Sequence, residues 1–147
     1  MVFVTFGCKG ANGTGKSTIL CALCLGLGGE PKLLGRADDA RAFIMHEKTV
    51  ASICLTLAPH PGEEVHVLKR KIDRNKGSER GHGKGASTFY INDQKCTLKD
   101  VQKLVKETYN ISIDNLCTFL PQDKVGSFSG FNQIDLLRET EKTLCGG

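Results

Sequence analysis

Eight residues near the start of the chain, GANGTGKS at positions 10–17, fit the pattern G-x-x-x-x-G-K-[ST]. Each fixed position answers a chemical need. Gly10 and Gly15, with Gly13 between them, let the backbone curl so that several N–H groups converge on one phosphate, and Ala11, Asn12, Gly13 and Thr14 fill the variable places. Lys16 brings a point charge to the β/γ oxygens. Ser17 offers a hydroxyl to Mg²⁺ at the start of a helix whose positive end favours an anion, and Thr18 follows it in the first turn. An apolar strand before the loop and an amphipathic helix after it are the context such a loop requires, and the sequence supplies both.

A phosphate-binding loop names a large class and no reaction. Hydrolysis needs further parts, among them an acidic residue ending a short apolar strand and holding Mg²⁺. Phe89, Tyr90 and Ile91 lead to Asn92 and Asp93, but the pair Asp93-Gln94 reads as a hairpin turn. Ile111, Ser112 and Ile113 before Asp114 alternate polar with apolar and suit the part less well. No second acidic motif is legible. Gln122 follows an apolar segment and Pro121, about a hundred residues after the loop. Its amide oxygen could ligate Mg²⁺ and its amide NH₂ could orient an attacking water. Taken bare, a loop glutamine is more often solvated surface, so both readings stand. Ser127, Phe128, Ser129 and Gly130 read as a loop.

The elements that must hold these groups follow from periodicity. Residues 2–6 read as a short buried strand. Residues 16–28 read as a helix with Ile19, Leu20, Leu23 and Leu27 on one face, stopped by Gly28-Gly29 and Pro31. Residues 33–39 read as a loop. Residues 49–58 alternate, with Ala51, Ile53, Leu55 and Leu57 on one side, and with residues 65–72 predict a hairpin about the turn at 59–62. Residues 74–85 carry Arg74, Lys76, Arg80 and Lys84 against Glu79, with no apolar side chain, and predict a solvated loop or a DNA-phosphate contact. Residues 87–92 predict a strand. Thr97-x-x-Asp100 resembles a capping box opening a helix with Leu98, Val101, Leu104, Val105 and Tyr109 on one face. Residues 132–144 predict a last helix, with Ile134, Leu137 and Leu144 on one side.

Composition bounds the answer. The chain has 147 residues, 24% of them charged, which suits one globular domain and excludes a rod, a collagen or a disordered tail. The longest apolar stretch is too short to span a bilayer and no secretory leader is legible, so an intracellular protein without a membrane is expected. A net charge of +4, spread evenly, hints weakly at an anionic partner. Seven cysteines at irregular spacing predict reduced thiols, with Cys21, Cys24, Cys54 and Cys117 buried in apolar segments. Cys21-x-x-Cys24 lacks a second ligand pair and reads as packing.

Four stretches, GANGTGKST, LGLGGEPKLLGRAD, NLCTFLPQDKVGSF and LLRETEKTLCG, together closely resemble the N-terminal ATPase half-domain of the structural maintenance of chromosomes (SMC) family. The likeness runs from about residue 10 to the end, and the third stretch is distinctive of one member rather than of the family at large. It implies an α/β fold: a P-loop NTPase of the ABC/RecF-like half-head type, with a mixed sheet that includes an antiparallel hairpin. Residues 1–131 would form the half-head and residues 132–147 the root of an outgoing coiled-coil helix. ATP and Mg²⁺ are the implied cofactors. Gln122 becomes the Q-loop glutamine, and Arg36 matches the family's arginine that approaches the nucleotide phosphates and couples ATP and DNA.

The resemblance implies work with structural maintenance of chromosomes protein 6, associated non-SMC subunits and DNA, in double-strand break repair by homologous recombination on nuclear chromosomes. Three departures stand out. Ala11 replaces a usual proline, residues 6–9 lengthen the join before the loop, and the family's earlier strands are missing, which leads to the expectation of a shortened start. With no signature motif and no second acidic motif, the chain alone is expected not to turn ATP over. Two rival readings remain at this point: a self-sufficient small P-loop kinase, although only Arg36 and Arg41 lie near the loop, and a non-catalytic nucleotide- or DNA-binding remnant.

Overall fold

The structure is a computed structural model and describes residues 11, 13–35, 37–58, 64–76, 87–113 and 125–144. Among the described residues, four antiparallel strands form one sheet in sequence order: β1 (Val50–Leu57), β2 (His66–Asp73), β3 (Ser87–Ile91) and β4 (Gln94–Cys96). The expected hairpin is β1 with β2, in the register Cys54 opposite Lys69 and Leu55 opposite Leu68. A second hairpin, β3 with β4, turns through Asn92 and Asp93 at φ 48° and 62°. Two successive left-handed residues make the tight turn whose twist suits antiparallel strands. The turn therefore sits one residue earlier than Asp93-Gln94, and Gln94 already belongs to β4. The strand expected at residues 2–6, and with it any parallel neighbour, lies outside the described residues.

Helices cover one face of the sheet. The first, α1 (Lys16–Gly26), packs on β1 so closely that a Cβ on Gly26 would lie 2.6 Å from Leu55 Cδ1. The second, α2 (Leu98–Tyr109), opens with the predicted capping box: Thr97 Oγ1 accepts from the Asp100 N–H at 3.3 Å and Asp100 Oδ2 accepts from the Thr97 N–H at 2.8 Å. Val101 and Val105 enter a core with Leu27, Leu68 and Phe89, flanked by Leu55, Leu57, Leu98 and Leu104. Cys21, Cys24, Leu25 and Leu34 form a neighbouring cluster with Ile53 and Phe43. Tyr109 ties the end of α2 to the first hairpin, its hydroxyl donating to the Leu57 carbonyl at 3.0 Å and lying 2.9 Å from His66 Nδ1.

Several expectations are corrected. The α1 helix buries Cys21, Cys24 and Leu25, while Ile19 is 49% exposed, so its inward face is rotated from the one that periodicity suggested. It also stops at Gly26, two residues short of Gly28. Residues 33–39 are not wholly loop: a 3₁₀ turn, Pro31–Leu34, opens them, and a second, Ala40–Phe43, follows. Cys54 faces outward on β1 and is exposed. Residues 127–129, read as loop, lie in a short helix, α3 (Val125–Ser129). The last helix, α4 (Gln133–Leu144), keeps its predicted place, with Ile134 and Leu137 exposed. Among the described residues no helix is long and apolar enough to cross a membrane.

Candidate phosphate-binding site

The loop ends in two glycines that only their lack of a side chain permits. Gly13 and Gly15 have φ of +84° and +85°, and a Cβ on either would meet nothing within 4 Å. Space is open there, so it is the left-handed backbone that demands glycine. Gly15 is the residue before α1 and its carbonyl accepts the first helical bond, from Ile19 N at 3.0 Å. No side chain caps this end of α1 and no acidic residue lies in its first turn. The positive end of the helix is thus not offset by its own sequence.

Lys16 folds back over the loop, its Nζ donating to the Ala11 carbonyl at 2.6 Å, and Thr14 Oγ1 donates to the same oxygen at 2.8 Å. Two donors thus converge on one carbonyl oxygen just before α1. Ser17 is half-buried in the first turn of α1 and Thr18 is exposed. The described residues therefore bring together Ala11, Gly13, Thr14, Gly15, Lys16, Ser17 and Thr18. Gly10, Asn12, Arg36 and Gln122 lie outside the described residues. The segment flanking Arg36 is held by Gly35 at φ 63° and by Asp39. Asp39 accepts from the Arg41 N–H at 2.9 Å and pairs with its guanidinium, and that hydrogen bonding holds its carboxyl below the ordinary value.

The donor set fits a nucleotide polyphosphate with Mg²⁺: left-handed glycines, an uncapped helix start, an ammonium and a helix-initial hydroxyl. The backbone N–H groups of residues 13–17 and Lys16 would hold the phosphates, and Ser17 the metal.

The far end of α1 carries what the sequence reading passed over. Leu27, Gly28 and Gly29 close the helix: Gly28 sits at φ +91°, its N–H bonds to the Leu25 carbonyl at 3.3 Å, and the Gly29 N–H bonds to the Cys24 carbonyl at 2.8 Å. That is a Schellman ending. Arg70 of β2, 6% exposed, reaches across beneath it. Its Nη1 donates to the carbonyls of Leu25 at 2.9 Å and Gly29 at 3.0 Å, its Nε to Ser87 Oγ at 3.1 Å, and its guanidinium lies 4.9 Å from the centre of the Phe89 ring. Burial pushes the guanidinium down to about 10. Gln102 of α2 donates to the Gly28 carbonyl at 2.9 Å. The signal was in the sequence: Arg70 falls in phase with Leu68 and Ile72, both buried.

A family description of an AAA domain matches residues 9–144. The chain belongs to the AAA domain family. Within that family it is similar to structural maintenance of chromosomes protein 5 of Schizosaccharomyces pombe, 41% identical over 135 residues. That match takes in 92% of this chain and 12% of the relative, so the chain spans about an eighth of the length of the relative. Solved SMC structures share the fold. One, from SMC ATPases characterised for ATP-driven dimerization and DNA-stimulated activation, superposes with a TM-score of 0.69 at 18% identity, covering 96% of this chain and 85% of that one. The Smc head domain of Pyrococcus yayanosii, with a coiled coil and joint, also gives 0.69 at 20% identity, covering 90% of this chain and 26% of that one. This AAA-family chain thus has the fold of an SMC ATPase head, in agreement with the α/β half-head expected from its motifs.

Proposed function

We propose that this chain is the nucleotide-binding N-terminal segment of an SMC-type ATPase head that acts in chromosome maintenance. The observation that carries this reading is the pair of left-handed glycines, Gly13 and Gly15, with Lys16 and Thr14 gathered on the Ala11 carbonyl at the uncapped start of α1. Likeness to protein 5 of the family supports the finer reading. ATP binds at residues 10–18 with Mg²⁺ on Ser17 and Gln122. Arg36 couples the phosphates to DNA. The partners are structural maintenance of chromosomes protein 6, associated non-SMC subunits and DNA, and the work is double-strand break repair by homologous recombination on nuclear chromosomes. Residues 1–131 act as the half-head and residues 132–147 as the root of the coiled coil.

When bound, Mg²⁺ neutralises charge that builds on the phosphates during hydrolysis. This chain's part is to grip and orient the nucleotide. Turnover needs groups from outside it, because no second acidic motif is legible here. Steady-state ATP hydrolysis by the purified chain tests this. The expected rate is at background and unchanged by Lys16→Ala. Hydrolysis that Lys16→Ala abolishes would instead favour a self-sufficient enzyme.

A further inference from the structure

Among the described residues, the buried positions of α1 fall from its midpoint to its C-terminal end: Cys21, Cys24, Leu25 and Gly26. Its first turn is half-buried or exposed, and Ile19 is half exposed. The helix is therefore held at one end and presents the loop from the other. It is a stiff rod of 11 residues, about 16 Å long. A tilt of roughly 5° at the held end moves the other end by roughly 1.4 Å over that length. In catalysis a displacement of about 1 Å can cost on the order of a hundredfold in rate, and a phosphate grip depends on the same placement of donors.

The held end is built around a buried cation. No carboxylate among the described residues lies at ion-pair distance from Arg70. Its charge is met by the Leu25 and Gly29 carbonyls, at and just past the negative end of α1, by the face of Phe89, and by the longer-range attraction of Glu30. Burying a guanidinium in this way is a poor means of gaining stability, since apolar side chains of similar volume often serve as well. What an apolar side chain cannot do is fix direction. One planar group that donates from Nη1 to a carbonyl in the last turn of α1 and to another just past it, and from Nε to Ser87 on the next strand, sets the helix axis against the sheet.

We propose that Arg70 is a positioning residue for the phosphate loop: by clasping the Leu25 carbonyl in the last turn of α1 and the Gly29 carbonyl just beyond it, it sets the axis of the helix, and so the place of Lys16 and Ser17 at its other end. The proposal rests on reading residues 10–17 as the nucleotide site, and its test separates the two.

Arg70→Met and Arg70→Lys are made in the whole 147-residue chain beside Lys16→Ala. Three quantities are read well below the melting temperature: Mg·ATP affinity by calorimetry, the melting temperature itself, and amide exchange of residues 15–20 without nucleotide. Arg70→Met is expected to weaken Mg·ATP by about tenfold or more and to speed exchange at residues 15–20 by about fivefold or more. Arg70→Lys, which keeps the charge but loses the fork, is expected to recover part of both, falling roughly threefold short of the native chain. A merely structural arginine would lower the melting temperature and loosen residues 24–29 while leaving affinity and residues 15–20 as they were, and that result overturns the proposal. Should Arg70→Met fail to fold, Arg70→Lys decides: native affinity and native exchange at residues 15–20 overturn it. Should the native chain and Lys16→Ala bind Mg·ATP alike, the nucleotide reading fails by itself, and exchange at residues 15–20 still decides the role of Arg70.

Discussion

Replacing Gly29 by alanine would set a methyl carbon 2.5 Å from Cys24 Sγ and 2.7 Å from the Cys24 carbonyl oxygen. Both distances lie well inside van der Waals contact, and the oxygen is the more serious. A sulfur at the end of a side chain can rotate away, but the Cys24 carbonyl is fixed in α1 and accepts the Gly29 N–H at 2.8 Å. Relief must come from moving the helix ending, and Arg70 grips the Gly29 carbonyl at the same place. Overpacking of a tight interior costs about 1–3 kcal/mol, and the backbone clash puts this case near the top, at about 2–3 kcal/mol. For a chain of this size that is a fall of roughly 6–9 °C in melting temperature. Thermal unfolding followed by far-ultraviolet circular dichroism, with urea midpoints as a second measure, reads it. Gly126→Ala is the control: nothing lies within 4 Å of a Cβ there, and a helix residue gains up to about 1 kcal/mol on the change. Adding Cys24→Ala to Gly29→Ala should restore less than half of the loss, because the carbonyl remains. A Gly29→Ala chain within about 0.5 kcal/mol of native, or a Gly126→Ala chain equally damaged, would refute the reasoning.

Two further outcomes follow from the same structure. Thr97→Ala removes the acceptor of the capping box and should cost about 1 kcal/mol in urea unfolding, with the loss of helix signal confined to α2. Acid should weaken the fold through Asp39 and Asp100. The Arg41 side chain holds Asp39 below its ordinary 3.8, and the Thr97 hydroxyl does the same for Asp100. A depressed carboxylate contributes in full above 3.8 and loses that contribution as pH falls through its folded value. The gap in urea midpoint between the native chain and Asp39→Asn should therefore shrink between pH 6 and pH 2.5.

The legible parts of the fold were those where chemistry or burial dictates residue type at a fixed step. The loop at 10–17 needs glycines, an ammonium and a hydroxyl in order, so it stands out. The first hairpin alternates because one side of β1 and β2 faces the core, and α2 announces itself through a capping box and a clean apolar stripe. The buried face of α1 was harder. Ile19, Leu20, Cys21, Leu23, Cys24 and Leu25 are all apolar, so no polar side fixes the phase, and the small thiols turned inward where a larger Ile19 did not. The strand β4 has three residues, too few for a pattern. Arg70 shares the phase of Leu68 and Ile72, but a charge at an inward position is explained only by its partners, the Leu25 and Gly29 carbonyls, which lie more than forty residues away in sequence. Arg36 and Gln122 take their roles from family likeness, since a lone loop residue carries no periodicity.

Residues 10–17 are proposed to grip a nucleotide through Lys16. Calorimetric titration of Mg·ATP into the native chain and into Lys16→Ala tests it most directly. A charge-assisted contact to a phosphate is worth about 1.5–3 kcal/mol, so the native chain should bind saturably and Lys16→Ala about 10- to 150-fold more weakly, with its melting temperature unchanged in the absence of nucleotide. Equal affinity in the two chains, or no binding by the native one, would contradict the account.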